Sequence, residues 1–222
     1  MTIKNVPPLQ RHAIPPGTAA LADHEALARQ HLNDNAWAYF SGGAADEITL
    51  RANRTAWDTL VLQPRVLRPL AGGHTRTTLL GRTLEHPILL APMAFQHLAH
   101  PDGEHASAFA AAALGAGLVL STQASTPLED VAQRFLADPA HGPLWFQLYL
   151  QHDRGFTREL VQRAEAAGYE ALVLTVDAPT SGTRDRERRA GFRLPASLVN
   201  TAPYVNIAGS SPCGVLNVRY WT

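Results

Sequence analysis

The chain has 222 residues, 45% hydrophobic and 17% charged, a composition that supports a packed core and excludes disordered and collagen-like classes. Its nineteen basic residues balance nineteen acidic ones, so no net field draws a polyanion and nucleic acid would need a local patch. The single cysteine, Cys213, has no internal disulfide partner, and the N-terminus lacks the basic start and apolar middle of a secretion signal. A cytoplasmic protein is expected. The longest apolar run, Ala108 to Leu120, falls short of the roughly 18 residues that a membrane span needs.

Residues 1–18, with Pro7, Pro8, Pro15 and Pro16, read as an irregular arm. Asp23 is expected to cap one helix carrying Leu32, Ala36, Tyr39 and Phe40 on its apolar side, stopped by Gly42-Gly43. A second helix, capped by Asp46 with Leu50, Trp57 and Leu60 on one face, is expected to end before Pro64. Thr77 to Leu80 and Thr83-Leu84, on either side of Gly81-Arg82, predict a small hairpin.

From Pro87 the pattern becomes regular. Apolar runs at Ile88 to Ala91, Leu118 to Leu120, Leu144 to Leu150 and Ala171 to Val176 each precede or follow a helical stretch. Asp102 is expected to cap a helix burying Phe109, Ala110, Ala113 and Leu114. Thr126-Pro127-Leu128-Glu129 has the form of a capping box before Val131 and Phe135. Asp153 opens a helix bearing Phe156, Leu160, Val161, Ala164 and Ala167, which Gly168 ends. Strand and helix alternating at about 27 to 30 residues is the spacing of βα units in a parallel sheet buried on both faces. The predicted class is α/β.

Two parallel architectures compete, a closed eight-stranded barrel and an open doubly wound sheet. Polar side chains fall where the runs finish: Ser121-Thr122, Gln147 with Tyr149, and Thr175 with Asp177. The last two pairs are spaced i, i+2, so each shares one face of its strand, as at the C-terminal rim of a barrel. An open sheet would carry a glycine-rich turn after its first strand, whereas Gly115-Ala116-Gly117 precedes a strand. Four such strands are half of what a closed barrel takes, and an open edge would expose backbone and apolar side chains.

Among chemistry-bearing residues, Arg184 can grip a carboxylate through two parallel hydrogen bonds, although the residues alone favour a solvated loop arginine paired with Asp185 or Glu187. Tyr39 could direct its hydroxyl to the same carboxylate, and Gln147 and Thr175 could bond the edge of a heterocycle or simply cap a strand end. His97, His100 and His105 have no cysteine beside them and Pro101 among them, so loop histidines are the better reading than a metal site. No Gly-x-Ser-x-Gly elbow supports hydrolysis. The basic stretch Arg184 to Arg193 has only Phe192 interleaved, which argues against nucleic-acid binding.

Five segments in order, Ala38 to Glu47, Leu90 to Ala94, Ala99 to Glu104, Phe146 to Tyr149 and Leu174 to Pro179, resemble the FMN-dependent 2-hydroxy acid oxidase and dehydrogenase family. The resemblance covers residues 19–195 and leaves 196–222 unplaced. It implies a TIM-type barrel, here cut to about the first four βα units, with FMN at its C-terminal mouth. It implies that Tyr39 and Arg184 hold the substrate carboxylate, that Tyr149 faces the reacting hydroxyl, and that the backbone of Pro92, Met93 and Ala94 with Ser121, Gln147 and Thr175 meets the flavin ring. The implied reaction converts a small L-2-hydroxy acid, of the lactate or glycolate class, to the 2-oxo acid, with a homo-oligomer for the full domain. The family's flavin-N1 lysine, its His-Gly-Gly catalytic segment and its phosphate sites come later, and none has a counterpart here. Lys4 is the only lysine, and Gln123 stands where the family is often aromatic. No catalytic residue is therefore assigned, and the chain alone is expected to be inactive. The rival expectation is a non-enzymatic fragment that pairs with another chain through its open sheet edge.

Overall fold

The structure, a computed structural model, describes residues 14–176 and 182–193. Asp177 and the 196–222 tail lie outside them. The N-terminal part holds α1 (Asp23–His31), α2 (Asp34–Ser41) and α3 (Ile48–Thr55), the last continued by a 3-10 turn over Ala56–Thr59. The expected hairpin follows, β1 (Thr77–Leu79) and β2 (Arg82–Leu84), but it turns one residue earlier than predicted, through Leu80 and Gly81 with φ of 48° and 79°. Both turn residues sit at positive φ, the conformation that matches the twist of a two-residue hairpin.

Four parallel strands come next, in spatial order β3 (Leu89–Leu90), β4 (Gly117–Leu120), β5 (Leu144–Leu148) and β6 (Ala171–Leu174). Between them run α4 (Gly103–Ala113), α5 (Leu128–Leu136) and α6 (Arg154–Ala167). A short helix, α7 (Asp185–Arg189), lies beyond β6. Alternation along the strands sends Leu118, Leu120, Leu144, Phe146 and Leu148 into one core with α5 residues Leu128, Val131 and Phe135 and α6 residues Phe156 and Leu160. Phe135, Phe146 and Phe156 are among the largest fully buried side chains, each worth about 2–3 kcal/mol of apolar transfer. Tyr169 closes this core: its ring meets Phe146 edge-on at 5.7 Å and its hydroxyl donates to the Leu128 carbonyl at 2.9 Å. Burial pushes its phenol above the ordinary range.

The hairpin is pinned to the sheet by Arg82, which pairs with Glu170 and donates to the His141 carbonyl at 2.9 Å. It thereby covers the N-terminal ends of β5 and β6. Asp153 caps α6 as expected, accepting from the Gly155 and Phe156 amides, and Gly168 ends it at φ +93°.

Several expectations are corrected. The first helix is two helices, because Asn33 interrupts it and caps α2, its Oδ1 accepting from the Ala36 amide at 2.9 Å. Asp23 is inside α1 and holds the preceding turn, accepting from the Ala19 and Ala20 amides. Asp46 does not cap α3; Glu47 stands at that junction in left-handed conformation, φ 58°. The apolar face of the second helix is not buried, since Trp57 and Leu60 are 68% and 67% exposed. Asp102 makes no side-chain cap to α4, whose buried face is Ala108, Ala111 and Ala112; Leu114 is exposed. The expected face is thus one position off: Ala110 and Ala113 are exposed like Leu114, and Phe109 is half-buried with the Arg134 guanidinium over its ring.

Both sheet edges are open within the described residues. Register places Leu172 beside Phe146 and Leu174 beside Leu148, on the helix-covered face, yet they are 46% and 48% exposed. At the other edge Ile88 and Leu90 are also exposed.

Candidate active site at the strand ends

The opposite face of the sheet carries Val119, Trp145 and Val173, and at its C-terminal end the alternation brings up Ser121, Gln147 and Thr175. These three form one row. Gln147, 2% exposed, accepts from the Ser121 hydroxyl at 3.3 Å and the Thr122 amide at 3.1 Å, and donates to the Thr175 hydroxyl at 2.9 Å. Thr122 faces the other way, donating to the Gln147 carbonyl and accepting from the Tyr149 amide at 3.2 Å. Three adjacent strands are thus tied at their ends by uncharged donors and acceptors. Tyr149 is half-buried just past β5, and the Gln151 carboxamide donates to its carbonyl at 2.8 Å.

Pro92 and Met93 are exposed after β3, with Ala94 half-buried. The Phe95 amide donates to the Gln123 carbonyl at 3.1 Å, which holds this turn against the end of β4 beside Ser121.

A second group lies where α7 meets α2. Arg184 donates from one terminal nitrogen to the Tyr39 carbonyl at 3.0 Å, and its Nε donates to Glu187 Oε1 at 2.6 Å. Its guanidinium carbon is 6.0 Å from the Tyr39 ring centre. Tyr39 is further flanked by Phe192, stacked at 5.0 Å, and by Phe40 and Phe95 at 5.1 and 5.6 Å. The structure therefore brings Tyr39 and Arg184 together, joins Ser121, Gln147 and Thr175, and realises the Glu187 pairing of Arg184.

Glu104, which sequence reasoning passed over, is fully buried in the first turn of α4. Its carboxylate accepts from the Gln96 and Ser125 amides at 3.3 and 2.8 Å and from the Thr126 hydroxyl at 2.8 Å. It ties the loop after β3 to the loop after β4, the two loops that carry Pro92 to Ala94 and Ser121. The signal for it was a lone acidic residue opening an otherwise small, apolar helix. Among the histidines singled out, His97 packs its ring where a side chain on Gly103 would stand, so that glycine is required.

Parallel βα units with polar side chains gathered at the C-terminal strand ends are the arrangement found in barrels of the TIM type. The described sheet holds part of one. The family described as FMN-dependent dehydrogenase matches residues 28–213. The chain is 49% identical over 180 residues to an L-lactate oxidase of Nostoc sp. (strain PCC 7120 / SAG 25.82 / UTEX 2576), a match covering 80% of this chain and 48% of that protein. It is 42% identical over 176 residues to glycolate oxidase 1 of Zea mays, covering 79% and 46%. A solved structure of a mandelate oxidase with (S)-2-phenylpropionate superposes with a TM-score of 0.75 at 40% identity, covering 82% of this chain and 53% of that one. The chain belongs to the FMN-dependent dehydrogenase family, whose cofactor is FMN, and it spans about half the length of the relatives it matches.

The Gln147 row fits the ring part of that cofactor. A flavin edge alternates uncharged donors and acceptors, and the row supplies a carboxamide and hydroxyls held in place and free of charge.

Proposed function

We propose that this chain supplies the carboxylate clasp and the flavin-ring face of an enzyme that oxidises a small L-2-hydroxy acid, of the lactate or glycolate class, to the 2-oxo acid. The observation that carries the reading is the Gln147 row at the strand ends of a family member whose Tyr39 and Arg184 are in contact. Ser121, Gln147 and Thr175, with the backbone of Pro92, Met93 and Ala94, hold the ring of FMN and fix its orientation. FMN, when bound, takes up the two electrons that leave the hydroxyl-bearing carbon.

Arg184 neutralises the substrate carboxylate and orients it through a planar fork, exchanging Glu187 for the incoming carboxylate. Tyr39 lies beside that guanidinium, and its stacking on Phe192 keeps water from one side of the clasp. Tyr149, at the end of β5, faces the substrate hydroxyl. The resemblance assigns the proton acceptor to a His-Gly-Gly segment that this sequence does not match, and on this reading the 222-residue chain alone does not turn over. The reading extends, on family resemblance and the lone Cys213, to a cytoplasmic homo-oligomer of the full domain. No described helix is long and apolar enough to cross a membrane.

The test is complementation. The chain is combined with the C-terminal half of the Nostoc L-lactate oxidase, and FMN retention through gel filtration is measured with L-lactate-dependent loss of flavin colour. The assembly should do both and the chain alone neither. An assembly that takes up no FMN refutes the assignment, and a chain that oxidises lactate unaided refutes the need for the other half.

A further inference from the structure

We infer that Arg186 and Glu47 are positioning residues that latch the segment carrying Arg184 onto the end of α2, and so set the guanidinium at the substrate carboxylate; this rests on Arg184 being the clasp. Arg186 donates to Glu47 Oε2 at 2.6 Å and, from its other terminal nitrogen, to the Ser41 hydroxyl and carbonyl at 3.3 and 3.4 Å. The other oxygen of Glu47 accepts from the Gly43 amide at 3.0 Å. That N–H holds the Glu47 carboxyl below its ordinary range against a smaller desolvation cost, and the Arg186 charge adds to it. Between these points the Ala45 amide donates to the Thr183 carbonyl at 2.7 Å. Arg184 is thus flanked on both sides, at Thr183 and Arg186, by anchors to the 41–47 loop.

The approach is close enough to dictate residue type. A side chain on Gly42 would meet the Ala38 carbonyl at 2.4 Å and Arg186 Cβ at 3.3 Å, and one on Gly182 would meet Ala44 Cβ at 3.1 Å. The loop also holds two non-glycine residues in left-handed conformation, Ala45 at φ 44° and Glu47 at φ 58°. Such conformations persist where the surroundings over-determine them, and the latch supplies those contacts. Arg186 itself is directed at Ser41 and Glu47, not at the strand ends, so its effect on substrate passes through Arg184. A lysine would offer one nitrogen where Arg186 reaches Ser41 and Glu47 from two.

The test uses the complemented assembly and the 222-residue chain by itself. In the assembly, Arg186→Met and Glu47→Gln should each raise the KM for L-lactate about fivefold, with kcat and FMN affinity held within about twofold, because a carboxylate grip is shared by ground and transition states. Arg186→Lys should fall between. In the chain alone, hydrogen exchange at the Ala45 amide should speed up about fivefold in both variants, since that bond bridges the latched segments. A KM unchanged by either substitution, or kcat and FMN affinity lost along with it, overturns the positioning role. If the unsubstituted assembly takes up no FMN, the functional reading fails on its own; unchanged Ala45 exchange in Arg186→Met then overturns the latch as well, and faster exchange supports it.

Discussion

Replacing Gln147 by leucine tests the strand-end row most directly. The substitution keeps the side chain's bulk and removes both ends of the tie. The Thr122 amide, fixed by the backbone and buried, loses its acceptor at a cost of about 1–3 kcal/mol. The Ser121 and Thr175 hydroxyls lose a partner too, but each can rotate, so about 1 kcal/mol apiece is the fitting charge. Burying a leucine in a position that is 2% exposed returns about 1 kcal/mol. The net loss is about 2–4 kcal/mol. With a urea dependence of about 2 kcal/mol per molar, the unfolding midpoint of the chain should fall by roughly 1–2 M. Urea titration followed by far-UV circular dichroism and by tryptophan emission reads this, since Trp145 lies on the same strand. Should Gln147→Leu unfold at the wild-type midpoint, the carboxamide is not what joins β4, β5 and β6 at this end, and its proposed role toward the flavin ring loses its basis.

Burial, and then the nearby Arg134 charge, hold His105 below its ordinary value of 6.5. The unfolded chain therefore binds that proton more readily, and stability from this group is complete above about pH 6.5 and is lost as pH falls through the depressed value. His105→Leu should flatten the fall in urea midpoint between about pH 7.5 and 5.5, at little cost at neutral pH because the buried Nδ1 has no partner among the described residues. Identical slopes in the two proteins would count against it. Leu172 and Leu174 are half exposed, so serine at both should cost the chain less than about 1 kcal/mol in urea unfolding. The same pair should abolish FMN retention on complementation, where the register puts them on a face that a further helix must cover.

The four parallel strands and the three helices between them are legible because each strand is a short apolar run and α5 and α6 keep their own periodicity; Asp153 and Gly168 mark the two ends of α6 unaided. The break at Leu32–Asn33 was signalled too, by an asparagine three residues before Ala36, but a continuous apolar stripe outweighs a single cap in any reading by period. The face of α4 misleads for a different reason. Nearly every residue there is small and apolar, so period does not fix the face, and the expected Phe109, Ala110, Ala113 and Leu114 lie one position off the buried Ala108, Ala111 and Ala112. At the site, Gln147 and Thr175 are legible from their i, i+2 partners. The Arg186–Glu47 latch is not, because no local pattern links residues 139 positions apart.

The contact of Arg184 with Tyr39 closes a span of 145 residues. A loop of that length costs about 4 kcal/mol to bring together, beyond a constant term, so it cannot precede the contacts that shorten it. On a ribosome, Tyr39 leaves the exit tunnel while most of the sheet is still untranslated. The contact of Arg184 with Tyr39 is consequently assembled late, after the parallel strands have aligned, and the grip proposed for a hydroxy acid is absent from the nascent polypeptide until then.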